Sequence, residues 1–297
     1  MERIHKISMI TSLLGLWFTS FFSNNVQVLT GFLLIFIFGI LHGANDLIII
    51  ASLNQENDSK KFFKILISYL LLIIMTSALF IFTPSLAIIL FIAISGYHFG
   101  EQHWQDLNEG ISKINKIIFC SNYGMFILLL LFNFHIPEVQ IIIQNITSHL
   151  IPVDVFEVSL YIVSCMLLIQ SFWFMNHSNY FINTAVIQIL YLLVFSIIFK
   201  VASLIWGFTI YFIMWHSIPS LYDQIKFLYG RYTFKNFISY VKSAFVYWML
   251  SLLGILLLYY LLKDETIFDA IFFSFLAAIT FPHVWVISKM FKTKETG

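Results

Sequence analysis

Gly39-Ile-Leu-His42-Gly-Ala-Asn-Asp46 is a polar island in hydrocarbon, with Ile37 and Phe38 before it and Leu47 to Ile50 after it. The apolar run around it, about residues 29–53, is long enough to cross a bilayer as a helix. A histidine and an aspartate four residues apart share one face of such a helix. Inside a membrane those groups are costly, and they turn toward a bundle interior or a cavity. The stretch therefore sets both the fold class and the first question about function, which is what His42 and Asp46 hold.

The rest of the chain agrees with a membrane reading. Of 297 residues, 60% are hydrophobic and 10% charged, where a soluble domain carries roughly 25% charged residues. We read an all-α, polytopic integral membrane helical bundle of about eight to ten transmembrane helices, forming one domain over residues 1–297. Ten stretches qualify as spans: about 7–22, 29–53, 62–83, 85–100, 115–134, 156–175, 181–199, 201–219, 240–262 and 267–288. The first and fourth are short. Residues 7–22 follow a charged start as in a signal peptide, but Ser23-Asn-Asn is no small-x-small cleavage site, so a retained first span is predicted.

A net charge of +1 and the lack of a basic patch interleaved with exposed aromatics exclude a nucleic-acid partner. Cys120 and Cys165 have no CxxC partner, which argues against a zinc or disulfide framework. With ten spans and the N-terminus inside, only Lys200 and Lys263 of the 16 Lys and Arg lie outside. Positive charge favours the cytoplasmic side, so both termini are predicted to lie in the cytoplasm of a multi-pass plasma (inner) membrane protein. The segment 137–151 is amphipathic and is expected to lie along the outer interface, as Tyr222 to Lys235 is along the inner one.

Nine histidines are present. His5, His135, His149 and His177 fall in terminal or loop segments and are expected at the surface. His42, His98, His216 and His283 fall on the second, fourth, eighth and tenth spans, which all run inward. They are therefore expected to sit at overlapping depth in the cytoplasmic half, where they can converge on one metal ion; the alternative is that each is simply hydrogen-bonded to a backbone carbonyl or a serine. Neutral imidazole is a common ligand for iron, copper or zinc. Asp46, Asn45 and Glu101 are near enough in sequence to orient ligand imidazoles. His103 follows His98 by five residues, roughly 140° round a helix, and would share its site only if the helix ended near Gly100. The aromatic content of 19% suits ordinary membrane packing or an aromatic-lined tunnel for a long apolar ligand.

His42-Gly-x-x-Asp46, Tyr97-His98-Phe-Gly-Glu101, Trp215-His216-Ser217 and Pro282-His283 together resemble the Brp/Blh family of bacterial and archaeal β-carotene 15,15′-dioxygenases. The resemblance runs from about residue 30 to 290 with the motifs in family order. It implies an all-helical membrane enzyme with non-haem Fe(2+) on histidines. It further implies addition of O2 across the central double bond of β-carotene to give two molecules of all-trans-retinal, with a functional link to a microbial rhodopsin. His42, His98 and His216 carry over as iron ligands. The family pattern places a fourth ligand histidine one helical turn after the third, and here that position is Ser220, preceded by Pro219. Three outcomes stay open: three histidines with water, His283 or His103 in the fourth place, or lost or altered activity. On this reading the metal set is His42, His98, His216 and His283, with Asp46, Glu101 and Ser220 behind it.

Three other functions compete. A non-catalytic or altered-specificity carotenoid- or retinal-binding homologue is suggested by Ser220. A transporter is suggested by intramembrane His and Asp, although the outer half offers no matching relay. A desaturase-like enzyme would need dense histidine clusters at the cytoplasmic face, and none occurs.

Overall fold

A computed structural model of the chain describes residues 2–53, 59–108, 110–262 and 265–296. The described residues form helices and no strand. In chain order these are α1 (Glu2–Thr19), α2 (Asn24–Leu34), a π-helical turn π1 (Ile35–Gly39), α3 (Ile40–Gly43), α4 (Asp46–Leu53), α5 (Ser59–Phe82), α6 (Pro84–His103) and α7 (Lys113–Phe134). They continue with α8 (Ile136–Thr147), α9 (Val153–Met175), α10 (Asn179–Val201), α11 (Leu204–Tyr211), a second π-helical turn π2 (Phe212–Ser217), α12 (Ile218–Tyr229), α13 (Phe234–Leu262) and α14 (Glu265–Thr296).

Among the described residues nine helical stretches are long and apolar enough to cross a membrane. They correspond to nine of the ten expected spans. The remaining one, 7–22, lies in α1, an 18-residue helix whose first turns carry Glu2, Arg3 and Lys6. The eighth span is longer than expected. It runs from Leu204 to Tyr229 through π2, so Ser220, Asp223 and Gln224 lie inside it and are buried.

The chain folds into two compact units. The first comprises residues 1–33, 92–141 and 150–216. Within it α6 and α7 approach backbone to backbone. A Cβ added at Gly124 would stand 1.8 Å from the Gly96 carbonyl oxygen, and one at Gly100 would stand 1.8 Å from that of Cys120. Small residues four apart allow this approach in membranes, where dispersion and close packing drive helix association. His98 lies between Gly96 and Gly100 in sequence, about 200° round the helix from Gly96, so it faces away from α7. On α1, the Ser12 hydroxyl accepts from Trp215 Nε1 at 2.8 Å, and the Ser8 hydroxyl donates to the Met214 carbonyl at 2.5 Å. The opposite face of α1 (Ile10, Leu14, Trp17) is exposed, as suits a surface turned to lipid.

The second unit comprises residues 34–91, 142–149 and 217–297. Its core pairs Ile49 and Ile50 of α4 with Val286, Ile287 and Met290 of α14. A second cluster joins Leu41 of α3 to Leu221 and Ile225 of α12 and to Tyr240 and Ala244 of α13. Helix α14 passes through Pro282 without interruption. Pro282 has no N–H for the i−4 carbonyl, a defect that membrane helices tolerate when neighbours resatisfy the freed group.

Two surface expectations change. His135 is buried, and its Nε2 lies 2.8 Å from the Phe199 carbonyl. Its ring fills a helix end that would otherwise leave a carbonyl unmet. His5 packs its ring against Tyr191 and Trp215. His149 and His177 are exposed, as expected. The amphipathic segment 137–151 is largely α8, which buries Val139, Ile143 and Thr147 at four-residue spacing and exposes Ile141, Gln144 and Asn145.

The α6–α7 approach makes a prediction about stability. Gly124→Ala should destabilise the purified protein by about 1–3 kcal/mol, the usual cost of overpacking, and lower its thermal unfolding midpoint in detergent. Gly254→Ala on α13, where an added Cβ meets nothing within 4 Å, should leave that midpoint unchanged or raise it slightly.

Candidate metal centre

The opening stretch is not one unbroken helix. α3 ends at Gly43 and α4 starts at Asp46. Asn45 holds the break. Its Nδ2 donates to the Tyr240 carbonyl at 3.0 Å, and its Oδ1 accepts from the Ser243 hydroxyl at 3.0 Å. The π1 turn precedes the break, and its Phe36 carbonyl accepts from Trp248 Nε1 at 3.1 Å. A π-helical turn carries one extra residue, re-aims the side chains that follow, and occurs frequently at functional sites.

This irregular backbone places His42 and Asp46 beside α14. The rings of His42 and His283 meet edge to face with centroids 4.8 Å apart. His283 Nδ1 lies 2.8 Å from Asp46 Oδ1, with both side chains buried. Tyr69 donates its hydroxyl to the other oxygen, Oδ2, at 2.8 Å. Asp46 therefore has two partners, and the imidazole it orients is His283, 237 residues away. Asp46 thus meets His283 and not His42, its neighbour on the same helix face in sequence, because the turn at residues 44–45 swings the carboxylate toward α14.

Behind His42 lies a buried polar chain. The Tyr240 hydroxyl stands 3.1 Å from the His42 carbonyl and 2.6 Å from Gln224 Oε1. Gln224 Nε2 donates to Ser220 Oγ at 3.0 Å. Ser220, at the expected fourth-ligand position, is thus a fully buried member of this chain. Tyr69, Gln224 and Tyr240 were not singled out in the sequence. Gln224 had a legible signal, since it follows Ser220 by four residues and so shares its helix face. Tyr69 and Tyr240 had none.

In the first unit the second motif pair meets. His98 of α6 and His216 of π2 are both buried, with ring centroids 4.6 Å apart. Phe99 and Phe212 close on His216 at 4.9 and 5.5 Å. The Tyr97 hydroxyl donates to Glu101 Oε1, fixing the carboxylate one helical turn on. His103 goes elsewhere. α6 continues past Gly100 to His103, so its ring points away from His98 into a box of Tyr123, Tyr191, Phe195, Tyr211 and Trp215.

The donor set suits a metal held by imidazole. A histidine that gives one ring nitrogen to a buried carboxylate has its tautomer and orientation fixed, and its other nitrogen is then directed as a ligand. His283 with Asp46 has this form. Over residues 33–291 the sequence matches the family Beta-carotene 15,15'-dioxygenase.

The chain belongs to the β-carotene 15,15′-dioxygenase family.

The match takes in all four histidines, Asp46, Glu101 and Ser220. No curated protein and no solved structure matches the chain. Membership in a dioxygenase family is consistent with a metal cofactor and gives the buried histidines a chemical context. It supports a carotene-dioxygenase type of activity, with a carotenoid and O2 as substrates.

Tyr240→Phe removes the hydroxyl that meets Gln224 and the His42 carbonyl. Leaving buried acceptors unmet costs about 1–3 kcal/mol. The variant should unfold at a lower temperature than the parent, which a scan of intrinsic fluorescence against temperature will read.

Proposed function

We propose that the protein is an iron(II)-dependent membrane dioxygenase that cleaves β-carotene at its central double bond and releases two molecules of all-trans-retinal. We propose further that both units of the chain serve this activity, with His42 and His283 as metal ligands from the second and His98 and His216 from the first. The observation that carries this reading is the buried Asp46–His283 pair, since it is the arrangement that holds a ligand imidazole, in a chain of this family. The two edge-to-face histidine pairs, one in each unit, support it. The chain passes from the first unit to the second directly after His216.

On this reading His283 takes the place of the missing fourth histidine. Ser220 serves behind His42 through Gln224 and Tyr240, and Glu101 is steadied by Tyr97. An iron(II) ion held by neutral imidazoles keeps its positive charge and supplies activation of O2. The protein supplies placement. β-Carotene offers no group to hydrogen-bond, so selectivity rests on apolar shape around the central double bond. Both added oxygen atoms come from O2, so no general acid or base is required. Asp46 holds His283 Nδ1, and so would leave Nε2 as the ligand atom of that ring.

We also propose that α1 makes a tenth crossing, which keeps both termini on the cytoplasmic side of the plasma membrane. Its exposed apolar face and the inward positive charge of the ten-span layout support this. Retinal so produced would suit a rhodopsin partner in the same membrane.

Expression in bacteria that make β-carotene tests the activity. Cells carrying the protein should bleach from orange and accumulate retinal, and His42→Ala and His283→Ala should abolish both effects. Persistent orange colour with well-folded protein in the membrane counts against the proposal. Asp46→Ala should lower iron affinity by about 10–100-fold, the usual effect of losing the group behind a ligand histidine. Competition with a chelator measures that change.

A further inference from the structure

The Asp46 carboxylate is shared between two donors on two helices of the second unit. Its Oδ1 lies 2.8 Å from His283 Nδ1 on α14, and its Oδ2 accepts from the Tyr69 hydroxyl on α5 at 2.8 Å. Asp46 and Tyr69 also line a cavity of about 170 Å3, which reaches Leu70 and Leu250 at the exposed apolar surface. No Lys, Arg or His lines that cavity. On this side the carboxylate is therefore met by a neutral hydroxyl and not by a cation.

That choice of partner has a chemical consequence. A carboxylate that accepts from a ligand imidazole raises the basicity of that imidazole toward its metal. A second donor on the same carboxylate draws on the same negative charge and reduces the pull. Inside an apolar bundle both hydrogen bonds are stronger than in water, so the competition between them is stronger too. A neutral hydroxyl withdraws part of the charge, where a cation would neutralise it. The donor strength of His283 is then set two bonds away, at the Tyr69 oxygen.

We propose that Tyr69 is a positioning residue that acts through Asp46 to limit how strongly His283 donates to the metal, and so favours iron(II) over iron(III). The inference rests on His283 being an iron ligand, as proposed above. A stronger imidazole donor benefits the higher charge more, so loss of the hydroxyl shifts the balance toward iron(III). Tyr69 touches neither substrate nor metal in this role. Its effect is on the one-electron balance of the resting site, and the carboxylate carries it.

The midpoint potential of the iron-loaded protein, measured by spectroelectrochemistry in detergent under argon and without carotene, tests this. Tyr69→Phe should increase the preference for iron(III) by about three- to ten-fold, the worth of one hydrogen bond. At about 59 mV per tenfold for one electron, the midpoint falls by up to about that amount. Incorporation of 3,5-difluorotyrosine at position 69 gives a stronger donor of nearly the same shape, and it should move the midpoint above that of the parent. Tyr247→Phe, on the wall of the same cavity, should leave it unchanged. In an Asp46→Asn background Tyr69→Phe should add nothing further. A purely structural Tyr69 would change unfolding temperature or iron content and give no shift of opposite sign with the fluorinated residue. A midpoint insensitive to Tyr69→Phe, or a full shift in the Asp46→Asn background, overturns the inference. Iron bound equally well by His283→Ala overturns the ligation on which it rests. None of these readouts needs turnover. The expected shifts in a protein that cleaves no carotene would overturn the proposed activity alone, and cleavage with a midpoint insensitive to Tyr69 would overturn this inference alone.

Discussion

A carboxylate inside an apolar bundle has to be met by donors, and Asp46 is met twice. His283 stands at one oxygen and the Tyr69 hydroxyl at the other. An isolated charge would be prohibitively costly there, so α4, α5 and α14 must come together around it in one register. Much of the second unit follows from that requirement. The apolar contacts of Ile49 and Ile50 with Val286, Ile287 and Met290 lie along the same pair of helices and hold the pair in place. The interruption at Gly43 to Asn45 makes the geometry possible, and the Asn45 amide compensates for the lost regularity by bonding Tyr240 and Ser243.

The first unit solves a related problem by different means. It brings two imidazoles together through backbone approach. Gly96, Gly100 and Gly124 allow α6 and α7 to touch with no side chain between them, which turns His98 to the opposite face. The π2 turn presents His216 to it with Phe99 and Phe212 as walls. Both units thus place their paired histidines next to a π-helical turn. A regular α-helix repeats its directions every 3.6 residues. A π turn breaks that repeat at one point and lets a single side chain leave the packing face.

The helical membrane class was legible in the sequence, because run length and scarcity of charge suffice when backbone groups must be satisfied within each segment. The candidate histidines were legible too, since polar groups in such runs are rare enough to count. The length of the eighth span was not. Asp223, Gln224 and Lys226 make the start of the Tyr222–Lys235 segment look interfacial, and only tertiary partners make the burial of Asp223 and Gln224 tolerable. His135 was misplaced for the same reason: its partner, the Phe199 carbonyl, is 64 residues away.

For Gly39 to Asp46, the sequence by itself determined that a histidine and an aspartate would lie buried in a membrane helix, because composition alone fixes that solvent. Only the tertiary structure decided their partners. Periodicity pairs His42 with Asp46, but the turn between them sends the carboxylate to His283 and Tyr69, and Tyr240 to the His42 carbonyl. Hydrogen bonds across more than 190 residues of sequence depend on the packing of α3, α4, α12, α13 and α14, and no local pattern encodes them. The same holds for Ser220. The family resemblance marked Ser220 as the place of an expected histidine, and the structure shows there a hydroxyl engaged by Gln224.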